Sequence, residues 1–201
     1  MVKGQGSADY APKPRCRREG KHEVTDISLD LGGGCNLSCS YCFEKDIATR
    51  SGPMSRETSF QAIDFLLRAS GTATRLAVHF GSGELLMNFS LMKDLVEYRR
   101  EKASALGKTL GFHLTTNGIL LDEKIAAFLE EDSFRLRISL DGPPRYHDGH
   151  RTGVNSTASS PEVLKGISLL PRKIKKDLII NTVFARGMVL YDIYQWARNQ
   201  I

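Results

Sequence analysis

At 201 residues, with 41% hydrophobic and 25% charged side chains, the chain has the make-up of one folded domain, or one piece of a larger one, and not of a disordered segment. Its formal charge is +5, but residues 1–22 alone carry +4 (Lys3, Lys13, Arg15, Arg17, Arg18 and Lys21 against Asp9 and Glu19), leaving only +1 for the other 179. That balance gives no general basic surface for nucleic acid, no apolar run approaches the ~20 residues of a bilayer span, and the N-terminus lacks the apolar stretch of a secretory signal.

The chain therefore reads as soluble and cytoplasmic, with no membrane partner and no nucleic-acid partner expected. Residues 1–22 read as a flexible, solvated basic tail, and residues 23–201 as the folded domain.

From residue 24 the hydrophobic pattern switches repeatedly between periods of 2 and 3.6. Val24–Leu31 alternates as a strand and breaks at Gly32, Gly33 and Gly34. Phe60, Ile63, Leu66 and Leu67 recur at helical spacing, and that helix stops near Gly71. Leu76–Phe80 is a second strand, and Leu91, Met92, Leu95 and Val96 form the apolar stripe of the next helix. Leu110–Leu114 is a third strand, and Ile125, Phe128 and Leu129 mark another helix.

Phe134–Leu140 is a fourth strand, followed by a polar loop over 142–160 and a helix over Val163–Leu170. Lys173, Lys175 and Lys176 read as a solvated approach to a fifth strand, Leu178–Phe184, and Tyr191–Gln200 as a last helix. Five strand–helix units in series argue for a parallel α/β sheet or barrel.

In such folds the chemistry collects at the carboxyl ends of the strands, and the unusual residues fall there. Cys35, Cys39 and Cys42 follow strand one, Gly81-Ser82-Gly83-Glu84 follows strand two, Thr116-Asn117-Gly118 follows strand three, and Ser139 and Asp141 close strand four. Any one of these loops could be only a turn; four together point to a shared cavity.

The cysteines are spaced C-x3-C-x2-C, with the fourth, Cys16, alone in the tail. A Cys39–Cys42 redox pair leaves Cys35 unexplained. Structural zinc takes four ligands, usually from paired motifs, and no second pair is visible. An electron-transfer cluster wants a fourth cysteine, for which only Cys16 is available. A fourth reading is a [4Fe–4S] cluster held by three cysteines with one iron open to a ligand.

The segment CNLSCSYCF resembles the signature of radical S-adenosylmethionine (SAM) enzymes, with Tyr41 as its aromatic residue. The resemblance continues in register: HFGSGELLMNF is similar to the family's glycine–glycine–glutamate–proline loop, LTTNGILL to its third-strand loop, and ISLDGPPRYHDGHR to its fourth. The last of these is similar to the peptide- and protein-modifying branch that carries a SPASM domain, which includes sulfatase-maturating enzymes and thioether-forming peptide maturases.

The resemblance implies a partial (β/α) barrel with five of six expected strand–helix units. It implies a [4Fe–4S] cluster on Cys35, Cys39 and Cys42, and SAM chelating the open iron. Reductive cleavage of SAM would give a 5′-deoxyadenosyl radical that abstracts hydrogen from a peptide or protein side chain, with the electron coming from an external donor such as flavodoxin or ferredoxin. Carried over residue by residue, Ser82 and Gly83 backbone and the Glu84 carboxylate would hold the methionyl ammonium. Ser139 and Arg151 would bind its carboxylate, and Tyr41 and Asn117 would line the nucleoside.

Asp141 reads equally as a turn-former before Gly142-Pro143, and His147 and His150 as solvated loop histidines. Two positions depart from the family pattern: Ser82 replaces the first glycine of the second loop and Leu85 its proline. Serine can keep such a turn if φ is negative there, but the loss of proline removes a stiffener, so weaker SAM binding is expected. No cysteine follows Cys42 to hold auxiliary clusters, and a sixth unit is missing, so a truncated chain is expected. Two other functions follow from these features: an iron–sulfur binding module that needs a further half or a partner chain, and a basic-tailed zinc or nucleic-acid module.

Overall fold

The computed structural model describes residues 23–32, 34–44, 52–153 and 155–201; the basic tail and Cys16 lie outside them. Five strands, β1 (Asp26–Leu29), β2 (Arg75–Phe80), β3 (Thr109–Thr116), β4 (Arg135–Ser139) and β5 (Ile179–Asn181), form one sheet in the order β1-β2-β3-β4-β5. Every neighbouring pair is parallel. Between and after them run α1 (Arg56–Ala69), α2 (Phe89–Ala105), α3 (Glu123–Glu131), α4 (Pro144–His150), α5 (Ser160–Leu169), α6 (Arg172–Lys176) and α7 (Leu190–Gln200).

Strand order follows chain order, and crossovers between parallel neighbours follow a right-handed rule. Together these place the connecting helices on one side of the sheet, the arrangement of a partial barrel wall. Alternation along each strand divides the residues accordingly. Leu76, Val78 and Phe80 of β2, Leu110, Phe112 and Leu114 of β3, and Leu136 and Ile138 of β4 are buried beneath the helices. Phe80, Phe112 and Phe134 stack in a row there, with centroids 5.3 and 5.2 Å apart. At about 1.5–3 kcal/mol for each large apolar side chain, this face carries most of the fold's stability.

The helices start where local chemistry directs them. Ser55 caps α1 by accepting from the Thr58 amide (3.0 Å), and Asp122 caps α3 by accepting from Ile125 (2.7 Å). The amides that open α5 are taken by a carboxylate from outside the helix, Asp148, which accepts from Ser159 (2.9 Å) and Ser160 (2.8 Å).

Several expectations need correction. The polar stretch 142–160 contains a helix, α4, begun by Pro143 and Pro144, and the lysine run is the short helix α6, begun after Pro171. Strand β5 is three residues long. Beyond Asn181 the chain leaves the ladder because its polar groups find other partners: Thr182 Oγ1 donates to the Leu140 carbonyl (2.8 Å) and Val183 N to Asp141 Oδ1 (3.0 Å). Among the described residues, no helix is long and apolar enough to cross a membrane.

Candidate active site

The loops after β1, β2, β3 and β4 enclose a cavity of about 430 Å³ at the carboxyl end of the sheet. Its wall includes Cys35, Cys39, Cys42, Gly83, Asn117, Ser139 and Arg151. The three cysteines are brought together by a loop with few internal bonds of its own. Cys42 N donates to the Cys39 carbonyl (3.1 Å), and both residues line the cavity. The rest of the loop is zipped to the segment after α4: Leu37 bridges Gly153, Ser38 N donates to the Thr152 carbonyl and Ser40 N to the His150 carbonyl, both at 2.8 Å.

The glycine-rich loop after β2 closes on the cysteine loop. Gly83 has φ +58°, and a side chain there would run into the Gly34 carbonyl oxygen, so backbone meets backbone with no space between. Glu84 N donates to that same carbonyl (3.0 Å), and Gly83 N donates to Glu44 Oε2 (2.7 Å). Ser82 sits at φ +81°. The sequence left room for a serine at negative φ; the turn instead holds it in the region that glycine favours, at a cost of about 1 kcal/mol.

Glu84 stands behind the cavity wall, buried, and ties the second loop to the third. Its carboxylate accepts from Leu86 N (3.1 Å), Thr116 Oγ1 (2.7 Å) and Asn117 N (2.7 Å). Burial pushes its pKa up, against the downward pull of these donors. Asn117, fixed by that contact, turns its amide to Asn36 Oδ1 (2.7 Å) and the Cys35 sulfur (3.9 Å), which also receives the Leu37 amide at 3.5 Å. Burial pushes the Cys39 thiol above its ordinary value, while the Arg151 guanidinium pulls it down.

Asp141 is the hub of the fourth loop. Fully buried, it accepts from the Tyr41 hydroxyl, from Arg151 Nε (2.9 Å) and from Val183 N (3.0 Å). Its own amide donates to His147 Nδ1 (3.2 Å). That assigns the imidazole proton to Nε2, which donates to Ser159 Oγ (2.9 Å), and Ser159 in turn donates to the Arg151 carbonyl. Burial pushes His147 below the usual histidine value, in keeping with a neutral ring. The guanidinium of Arg151 also lies over the Tyr41 ring, 5.3 Å from its centroid, and burial and the Asp141 acceptor push the Tyr41 phenol far above its ordinary pKa.

Of the ten residues given a cofactor-binding role in the sequence, seven share the cavity wall, while Tyr41, Ser82 and Glu84 brace it from behind. The solvated-loop reading is overturned for His147, which is wholly buried; His150 is half-buried at the end of α4 and bonded through Nδ1 to Ser40 Oγ (2.9 Å). Glu44 on the wall was not singled out, and only its closeness to Cys42 pointed to it. The ten-residue gap between Asp141 and Arg151 hid their pairing.

Residues 29–196 match the family described as the Radical SAM superfamily. The chain belongs to that superfamily. It is 31% identical over 147 residues to a serine-type anaerobic sulfatase-maturating enzyme of Bacteroides thetaiotaomicron, covering 71% of this chain and 35% of that one. A cysteine-type anaerobic sulfatase-maturating enzyme of Clostridium novyi is 28% identical over 173 residues, covering 83% and 46%. Among solved structures, native anSMEcpe with bound AdoMet and a peptide superposes with a TM-score of 0.77 at 26% identity, covering 89% of this chain and 48% of that one. The chain thus spans less than half the length of these relatives.

A [4Fe–4S] cluster and SAM are the cofactors of the radical SAM superfamily, and the residues present fit both. Among the described residues no three His, Cys, Asp or Glu side chains converge on a single metal ion. A cubane does not require that, because each thiolate binds a different iron. The fit to a cluster rests on three cysteines along one wall and two N–H donors aimed at the Cys35 sulfur, of the kind that tune such clusters. The fit to SAM rests on charge: the Glu44 carboxylate and the Arg151 guanidinium on one wall match the ammonium and carboxylate of an amino-acid head group.

Proposed function

We propose that this chain is the core of a radical SAM enzyme that acts on a peptide or protein side chain. Cys35, Cys39 and Cys42 hold a [4Fe–4S] cluster, and the adjoining cavity holds SAM. The observation that carries this reading is the meeting of the three cysteines with Gly83, Asn117, Ser139 and Arg151 around one cavity, in a chain that belongs to this superfamily. With both bound, one-electron reduction by a donor such as flavodoxin or ferredoxin would supply a 5′-deoxyadenosyl radical able to take hydrogen from an unactivated C–H bond.

The chain's own residues bind and orient. Backbone at Ser82 and Gly83, with the Glu44 carboxylate beside it, receives the methionyl ammonium, and Glu84 acts one step back by fixing the loop. Ser139 and Arg151 receive the carboxylate, with Arg151 aimed by Asp141. Asn117 faces the nucleoside and the Cys35 sulfur together, and Tyr41, clamped on Asp141, sets the cysteine loop against the barrel.

Anaerobic reconstitution followed by dithionite reduction and chromatography for 5′-deoxyadenosine tests this. The expected result is about four irons and four sulfides per chain with SAM cleavage, both lost in Cys39→Ala. Reconstituted protein without bound iron overturns it. A second reading, a cluster-binding module without turnover, is favoured by the strained Ser82. It predicts iron and sulfide without 5′-deoxyadenosine.

A further inference from the structure

The face of the sheet opposite the helices carries a set of charges that the cavity does not use. Along β4, Ser139 is on the cavity wall, and Arg137 and Arg135 follow on the same face at two-residue steps. At about 3.3 Å per residue they lie about 7 and 13 Å from Ser139 along the strand. Along β3, Thr115 is on the wall and His113 is the next residue on that face. The register aligns His79, His113 and Arg135 across three strands, with Thr115 beside Arg137 in the row above.

Both arginines are exposed, and among the described residues no carboxylate stands within ion-pair distance of either. The acid that does face this row, Asp26, is taken by His79 at 3.1 Å. His79 meets His113 edge to face, with centroids 4.4 Å apart. Burial first, and then its neighbours His79, Arg135 and Arg137, push His113 below its ordinary pKa, so these groups act on one another through a common field. Two unpaired guanidinium groups beside a histidine repel, and an anion laid across them relieves that repulsion. Guanidinium forks suit carboxylates in particular.

We propose that this concave face is a docking track for an acidic stretch of the peptide substrate, with Arg135 and Arg137 as its carboxylate-binding groups and His113 beside them. The track leads along β3 and β4 to Thr115 and Ser139 at the cavity. A segment held on it by its glutamate or aspartate side chains delivers a neighbouring residue to the reactive end. This rests on the reading of the chain as a peptide-modifying radical SAM core and adds a substrate class to it.

The test uses the full chain, reconstituted anaerobically, and fluorescence anisotropy with a rhodamine-labelled glutamate-rich peptide, its glutamine counterpart and a labelled oligothymidylate. The glutamate peptide should bind about tenfold more tightly than the glutamine peptide. The double variant Arg135→Gln/Arg137→Gln should remove that preference, while Arg172→Gln on α6 retains it. Far-UV circular dichroism checks folding, and the single variant Arg137→Gln, expected to weaken the preference in part, stands in if the double variant does not fold. Equal affinity for the two peptides, a preference that survives the double variant, or tighter binding of the oligothymidylate overturns the track. The change in the cluster's EPR signal on adding SAM is recorded on the same samples. Its absence counts against the enzymatic reading, while the peptide comparison still reports on the track.

Discussion

The two faces of the five-stranded sheet use the same strands and alternate residues for opposite ends. On the helix side, Phe80, Phe112 and Ile138 are packed out of water and hold the fold together. On the concave side, His79, His113, Arg135 and Arg137 contribute little packing and leave charge facing outward. A one-residue slip in register would exchange the two sets, so the packing of one face fixes where the chemistry of the other is presented. The loops at the strand ends join the two: they are braced by buried polar groups such as Glu84 and Asp141, which belong to the interior by burial and to the site by position.

The sharpest way to break this contrast is to cut each face in turn. Phe112→Ala should cost about 3–5 kcal/mol in urea unfolding, whereas Arg137→Gln, one face over, should change stability by less than about 0.5 kcal/mol. Equal losses would mean that the concave face is also structural. Next comes the buried brace. Asp141→Ala strands the Arg151 guanidinium in the interior and should cost about 3 kcal/mol, with a visible loss in the cluster's absorbance as Tyr41 is released.

The second loop gives smaller effects of opposite sign. Gly83→Ala places a methyl group against the Gly34 carbonyl at positive φ and should destabilise by about 2 kcal/mol. Ser82→Gly should stabilise by about 1 kcal/mol and tighten SAM binding, both readable by thermal unfolding with and without SAM.

A pH series separates the buried histidine from its surroundings. His147 is held below the usual value by burial, and His113 by burial and its basic neighbours. As pH falls through about 6.5 the unfolded chain takes up protons that the folded chain refuses. Stability is therefore full above that pH and declines below it, toward the lower folded values. His147→Gln should flatten part of this decline, as judged from urea midpoints across the range.

Much of this was legible beforehand, because alternation and helical spacing are properties of short windows. The strands appeared with ends shifted by at most three residues, and the cysteine spacing marked the site directly. What stayed hidden depended on contacts between distant residues. Asp141 looks like a turn-former until Tyr41, Arg151 and Val183 converge on it, and His147 looks solvated until α4 folds its ring beneath Ser159. The short helices α4 and α6 carry too few residues to show a period, although proline at their starts was a usable signal. The fifth strand reads longer than it is because Val183 is apolar, while its amide is bound by the Asp141 side chain and not by the ladder.

The measurement that bears most directly on the whole account is EPR of the reduced, reconstituted chain with and without SAM. A [4Fe–4S]+ signal whose shape changes on adding SAM is the predicted result, since it requires both the three-cysteine site and a cavity that brings the cofactor to the open iron. A cluster signal indifferent to SAM, in Ser82→Gly as well as in the parent chain, would contradict it.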